Sequence, residues 1–289
     1  MNMSFKPKEY FKPKTLNETL NLLINWGERA RLVAGGTDLL VERPIQCECL
    51  IDINDLPLKY IKKDSECIRI GATTNFNEII ESKYFSQGPL KVISESSKLI
   101  GHRNIRNLAT IGGNICNAVP SLDSAPPLIS LDAFAVIKGL YGERKIPLEE
   151  FFVFVRKTVL KKGELLKEVR IPNPPSRTGT CFSKIGRSKL DIALVNCSVR
   201  LTFDENDRIE AARVVLGSVA PTPVRTKGSE MMLVGNILDE ELIGKVSQKA
   251  SSEIKPISDV RSSAEYRREV CRVLVERNLK EANRRAKEG

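Results

Sequence analysis

In this chain of 289 residues, two segments set a Gly-Gly pair among polar residues at the end of an apolar run. The first is Leu32-Val33-Ala34-Gly35-Gly36-Thr37-Asp38-Leu39, and the second is Ala109-Thr110-Ile111-Gly112-Gly113-Asn114. Glycines after a strand let the backbone turn tightly and meet a ligand with no Cβ in the way. Successive inward N–H groups form an anion-binding nest, to which Thr37 and Asp38 add polar contacts. Two such nests suit a ligand with two phosphates, such as a dinucleotide. Taken singly, each pair is equally an ordinary tight turn. No G-x-x-x-x-G-K-[S/T] and no G-x-G-x-x-G occurs, so neither the P-loop nor the Rossmann fingerprint is present.

Other chemistries are weakened by composition. His102 is the one histidine, which excludes a His-rich metal site and leaves a Ser–His–Asp triad a single candidate. The cysteines, Cys47, Cys49, Cys67, Cys116, Cys181, Cys197 and Cys271, include no C-x-x-C pair. They read as reduced thiols, several of them core residues, and no metal site is expected. Lys and Arg number 46 against 36 Asp and Glu, a net charge of +10, of which Arg261–Gly289 contributes +4. That segment reads as an amphipathic helix with Tyr266, Val270, Val273, Leu274 and Arg277 on one stripe; its charged face is a solvated surface or a dock for an acidic partner. Aromatics are 6% of the chain and do not interleave with the basic residues, so nucleic acid is not an expected partner. No apolar run approaches the roughly 20 residues of a membrane span, and the opening MNMSFKPKEYFKPK is too polar for a signal peptide. A cytoplasmic location is expected.

The elements that must position the two loops emerge from periodicity. Thr15 and Glu18 fit a capping box, and Leu16, Leu20, Leu23 and Ile24 form a helical stripe that stops near Trp26-Gly27. Strands are predicted at 31–34 and 49–53. A second lobe begins with a strand at 68–72 and continues with helices over 75–81 and 90–99. Gly101 to Pro127 shows little periodicity and reads as a long functional loop. Beyond it come strands at 133–138 and 166–171. The cluster Pro172-Asn173-Pro174-Pro175 is the strongest boundary, giving one domain over 1–175 (lobes of about 1–58 and 59–175) and a second over 176–289. Strands at 180–185, 192–203 and 209–218 form an antiparallel three-stranded sheet, with the turn Asp204–Asp207 joining the last two. Helices at 239–254 and 263–285 end the chain.

LVAGGTDLL, with IRNLATIGGNICNAVPSLDSAPPL some 70 residues later, strongly resembles the FAD-binding subunit of the molybdenum hydroxylases. Phe182–Arg187, Asp191–Ala193, Ala220–Pro223 and Arg261–Arg267 extend the resemblance to nearly the whole chain, and the second motif looks closest to the bacterial xanthine dehydrogenase type. The resemblance implies an α+β protein: a two-lobed vanillyl-alcohol-oxidase (p-cresol methylhydroxylase-type) FAD domain, then a smaller α/β domain that closes over the cofactor. By position, Leu32–Leu39 wrap the pyrophosphate and Ala109–Asn114 meet it from the other lobe. Ile100 stands where relatives often place an aromatic residue near the flavin, and Asp123, Leu166 and Lys184 match further cofactor contacts. Each has a plainer role open to it: an Asx turn for Asp123, core packing for Leu166, an exposed strand lysine for Lys184. Thr37 replaces the histidine that tethers FAD in some relatives, so non-covalent FAD is implied.

The same resemblance implies partners: a small subunit with [2Fe–2S] clusters, a large molybdopterin subunit, and NAD⁺ or another acceptor. No residue of this chain is expected to act as acid, base or nucleophile. Alternatives are the FAD subunit of a nicotinate or purine hydroxylase or of carbon monoxide dehydrogenase, a free-standing flavin oxidoreductase of the same fold, or a binding module without flavin.

Overall fold

A computed structural model describes residues 5–188 and 190–288. The first lobe contains β1 (Glu9–Phe11), α1 (Leu16–Trp26), β2 (Ala30–Val33), α2 (Leu39–Glu42) and β3 (Cys49–Asp52), its strands forming a parallel sheet ordered β1-β3-β2. Thr15 caps α1 through the Glu18 amide at 3.2 Å, while Glu18 reaches back to the Lys14 amide, one residue before the cap. Leu20, Ile51 and Leu58 fill a small core beneath this sheet.

The second lobe is built on an antiparallel sheet ordered β4-β5-β10-β6-β7. Its elements run β4 (Ile61–Lys63), β5 (Cys67–Gly71), α3 (Phe76–Glu81), α4 (Lys91–Lys98), α5 (Arg103–Leu108), α6 (Ile111–Asn117) and α7 (Ala125–Ser130). After these come β6 (Phe134–Gly139), β7 (Gly142–Pro147), the small hairpin β8 (Phe152–Phe154) and β9 (Lys157–Thr158), and β10 (Leu165–Pro172). The stretch 101–127, expected to lack regular structure, instead holds three short helices of 6, 7 and 6 residues. Each is too short to show an amphipathic period, so the pattern that marks longer helices is missing. Ile111, Ile115 and Leu128 from these helices are nonetheless central to the lobe's core.

Beyond the prolines lies an antiparallel sheet of β11 (Thr178–Ile185), β12 (Val195–Phe203), β13 (Ile209–Gly217) and β14 (Val224–Arg225), in that order. The expected three-stranded sheet therefore gains a two-residue edge strand. Helices α8 (Lys227–Leu233), α9 (Glu240–Ser252) and α10 (Ala264–Glu288) complete the domain. The buried face of α10 is Val270, Cys271, Leu274, Val275, Leu279, Ala282 and Ala286, whereas Tyr266 is half exposed and Arg277 exposed. The stripe expected from sequence is thus rotated. Close backbone packing explains it: a Cβ on Gly179 of β11 would lie 1.8 Å from the Ala282 carbonyl, so the helix settles on its alanine side.

The third sheet closes directly on the second lobe. Helix α7 packs on β12 and β13, and Phe182 and Val215 enter the second lobe's core. Polar ties flank this contact: Ser130 with Ser198 at 2.9 Å, Arg200 and Arg213 on Asp132 at 2.6 and 2.8 Å, and Arg285 on Glu95 at 2.8 Å. Among the described residues, no helix is long and apolar enough to cross a membrane.

Candidate functional site

The two glycine segments face each other across a cleft of about 530 Å³ between the first and second lobes, a volume in the range of small-molecule and cofactor sites. Leu32 and Ala34 to Leu39 line one side; Ala109, Thr110, Gly112, Gly113 and Asn114 line the other, and Leu166 of β10 forms part of the wall. Val33 lies behind Gly36, and Ile111 is buried in the second lobe's core.

The first segment leaves β2 and enters α2. Gly36 holds a left-handed φ of 69°, which turns the chain with no Cβ penalty. Gly35 abuts the other lobe so closely that a Cβ there would lie 1.9 Å from the Leu108 carbonyl oxygen. The backbone amides of residues 35 to 39 find no protein acceptor among the described residues. Unpaired amides seek an acceptor, and a run of them is what an anion nest requires.

The second segment differs. Thr110 caps α6, taking the Gly113 amide at 3.1 Å. The Ile111, Gly112 and Asn114 amides donate to the carbonyls of Thr74, Ala72 and Thr110 at 3.0, 2.9 and 2.9 Å. A Cβ on Gly112 would lie 2.6 Å from Ala72. These glycines therefore seat a helix on a strand end rather than forming a second nest. The expectation of equivalent nests is corrected here: one loop offers amides to a ligand and the other uses its own.

The cleft also gathers residues that no motif marked. Arg156, on the β8–β9 hairpin, pairs across the cleft with Glu42 of α2 and donates to Asn117 Oδ1 at 3.2 Å. Its left-handed φ of 58° is held by its amide on the Ala118 carbonyl at 2.9 Å. Arg31, the other cation lining the cleft, is engaged by the carbonyls of Glu28 and Ala30, each at 2.7 Å. Desolvation by the cleft walls, with Glu42 nearby, raises the Asp38 pKa, while Asn117 and Arg156 oppose the rise. Burial pushes the Cys116 thiol up to about 12, leaving it protonated near neutral pH. Sequence reasoning missed Arg156 because its partners, Glu42 and Asn117-Ala118, come from two segments distant in sequence.

Ile100, Asp123 and Lys184 stand apart from the residues lining the cleft. Ile100 packs against the second lobe's core. Lys184, expected as an exposed strand residue if not a ligand, is buried: its ammonium donates to Asp123 Oδ2 at 2.7 Å, to the Leu99 carbonyl at 2.8 Å and to the Asp191 carbonyl at 3.2 Å. Asn196 donates to the other Asp123 oxygen at 2.9 Å. Burial raises the Asp123 pKa against the lowering effect of Lys184 and Asn196. In the basic cluster His102, Arg103 and Arg106, the Arg106 guanidinium closes the end of α4 by donating to the carbonyls of Lys98, Ile100 and Gly101.

A parallel lobe and an antiparallel lobe enclose a cleft whose open amide run suits an anionic ligand, and a further domain packs against the second lobe. Residues 3–174 match the family described as the FAD binding domain in molybdopterin dehydrogenase, and residues 180–282 match the CO dehydrogenase flavoprotein C-terminal domain. The chain belongs to the family of FAD-binding subunits of molybdenum hydroxylases. It is 33% identical to the 6-hydroxypseudooxynicotine dehydrogenase complex subunit alpha of Paenarthrobacter nicotinovorans, covering 96% of this chain and 95% of the relative. It is 30% identical to the xanthine dehydrogenase FAD-binding subunit of Escherichia coli O157:H7, covering 94% and 95%. Its fold superposes with a TM-score of 0.92 on a chain of carbon monoxide dehydrogenase from Hydrogenophaga pseudoflava, at 32% identity and covering 97% and 98%. Relatives named for different substrates match about equally, so identity does not single out xanthine.

FAD fits the residues present. A diphosphate supplies the acceptors that the amides of residues 35 to 39 lack, and Gly35 lets this loop lie directly against Leu108 of the facing lobe.

Proposed function

We propose that this chain is the electron-transfer subunit of a molybdenum hydroxylase complex. In that reading it receives electrons from [2Fe–2S] clusters of a small partner subunit and passes them on to NAD⁺ or another acceptor. Substrate oxidation takes place in a large molybdopterin subunit, in the cytoplasm. The open amide run at residues 35 to 39 carries the reading, because it is the feature of the cleft that needs an anionic ligand. Bound FAD would supply the hydride and single-electron chemistry. The chain's own residues bind and orient: the amides of residues 35 to 39 hold the diphosphate, and Leu32, Leu160 and Leu166 keep water from the cleft wall. Arg156 draws the lobes together through Glu42. Lys184 and Asp123 serve the site by joining the C-terminal domain (176–289) to the FAD-binding domain (1–175).

Thr37 offers no imidazole or thiol for a covalent tether and Cys116 stays protonated, which supports non-covalent FAD. The relatives are FAD subunits of multi-subunit complexes, which supports placing the clusters and molybdenum in other subunits. The test is an absorption spectrum of the purified chain before and after acid precipitation, then affinity capture of the complex with iron and molybdenum analysis. Flavin bands that move into the acid supernatant, and co-purifying iron and molybdenum, are expected. A chain that gains no flavin bands with added FAD overturns the proposal.

A further inference from the structure

A serine at the start of a helix normally turns its hydroxyl onto the amides of the second or third helical residue. Ser124 stands at the N-cap of α7, but those two positions are Pro126 and Pro127, which have no N–H to offer. Ser124 accordingly makes no cap bond, and its backbone is helical rather than extended. Its hydroxyl, 97% buried with the residue, is 2.5 Å from Asn114 Oδ1 instead. A buried hydroxyl without a partner is costly, so the two prolines dedicate this one to Asn114.

Asn114 lines the cleft from the first turn of α6. With Oδ1 held by Ser124, its Nδ2 hydrogens have no acceptor among the described residues. The flanking chain is fixed just as firmly: Asp123 is clamped by Lys184 of β11 and Asn196 of β12, and Asn196 also donates to the Leu122 carbonyl at 3.1 Å. Asn196 and Lys184 belong to the C-terminal domain, so that domain fixes the backbone from which Ser124 reaches Asn114.

We infer that Ser124 is a positioning residue for FAD binding, acting through Asn114. It holds the Asn114 carboxamide with its oxygen turned away and its two N–H donors presented to an acceptor group of FAD, while the Asp123–Lys184–Asn196 clamp holds Ser124. The second loop therefore contributes a side-chain donor where its backbone amides are already used. This rests on the FAD reading of the cleft.

The test measures FAD dissociation constants for the full chain, stripped of flavin, in four forms: wild type, Ser124→Ala, Asn114→Ala and the double variant. Ser124→Thr and the thermal midpoint of each serve as controls. Loss of one neutral hydrogen bond gives an expected weakening of about 5- to 10-fold for Ser124→Ala. In the Asn114→Ala background the same change should alter affinity by less than about twofold, since residues acting through one another are non-additive. Ser124→Thr, which keeps the hydroxyl, should retain wild-type affinity. Equal effects of Ser124→Ala in both backgrounds, or wild-type affinity in Ser124→Ala, overturn the positioning role while leaving the FAD reading intact. A wild-type chain that does not bind FAD overturns both.

Discussion

The two glycine loops share a dipeptide and divide the labour of the cleft. In the first, the backbone amides of residues 35 to 39 stay open and the side chains sit at the rim. In the second, the backbone is closed by the carbonyls of Ala72, Thr74 and Thr110 and by the Thr110 hydroxyl, and a side chain, Asn114, is left to face the cleft. The helices that the two pairs lead into account for the difference. Thr37-Asp38 keeps the chain turning before a helix of four residues, whereas Thr110 caps a seven-residue helix whose first turn is seated on the end of β5. A Gly-Gly pair therefore means close approach in both places, to the facing lobe in one and to a strand end in the other.

The largest expected effect comes from breaking the anchor of the second loop. Asp123→Ala strands the buried Lys184 ammonium, and removing one partner of a buried pair costs about 3–5 kcal/mol; chemical denaturation of the purified chain measures it. A loss under about 1 kcal/mol would mean that the C-terminal domain does not anchor this loop.

Next come the two close approaches. Gly35→Ala and Gly112→Ala each force a methyl into occupied space, and each should destabilise the chain by about 1–3 kcal/mol. They should differ in cofactor binding. Gly35→Ala pushes the open loop off Leu108 at the cleft itself, so its FAD affinity should fall further for the same loss of stability. Equal ratios of affinity loss to stability loss would erase the distinction between the loops.

A smaller effect is expected at the tie across the cleft. Glu42→Gln removes a partly exposed ion pair worth about 0.2–1 kcal/mol. The FAD release rate, monitored by fluorescence after dilution, should rise modestly and lose part of its dependence on salt. An unchanged rate would show that Arg156 does not hold the lobes together. The smallest effect is one of pH. Arg284, and then Arg285, hold the Glu281 carboxyl down to about 2 against the opposing effect of partial burial. A depressed carboxyl stabilises the fold above its ordinary titration range and loses that contribution as pH falls toward about 2. The thermal midpoint should therefore drop through this acid window, and Glu281→Gln should flatten the drop; an identical slope in the variant would remove Glu281 from the account.

Much of the fold was legible in sequence because long elements carry a period. Helix α1 and strands β11 to β13 lie within a few residues of where apolar spacing puts them. Legibility failed where the period was too short or the partner too distant. Helices α5, α6 and α7 have 6 or 7 residues each, and β14 has two. The face of α10 was misread because a glycine on β11 decides its seat. Within the site, the sharp turn of the first loop was readable from its glycines, and Gly36 holds the left-handed φ that glycine favours. The second was not, because the acceptors for its amides lie on Ala72 and Thr74, some 40 residues earlier. The Lys184–Asp123 pair spans 61 residues and the Arg156–Glu42 pair joins two lobes; neither leaves a local trace.

The most direct test of the account is FAD titration of the flavin-stripped wild-type chain, with ADP as competitor. If the open amides of residues 35 to 39 hold a diphosphate, FAD restores the flavin spectrum at a one-to-one ratio, ADP competes, and riboflavin, which lacks the diphosphate, binds far more weakly. Riboflavin binding as tightly as FAD, with no competition from ADP, would contradict a diphosphate cradle in the first loop.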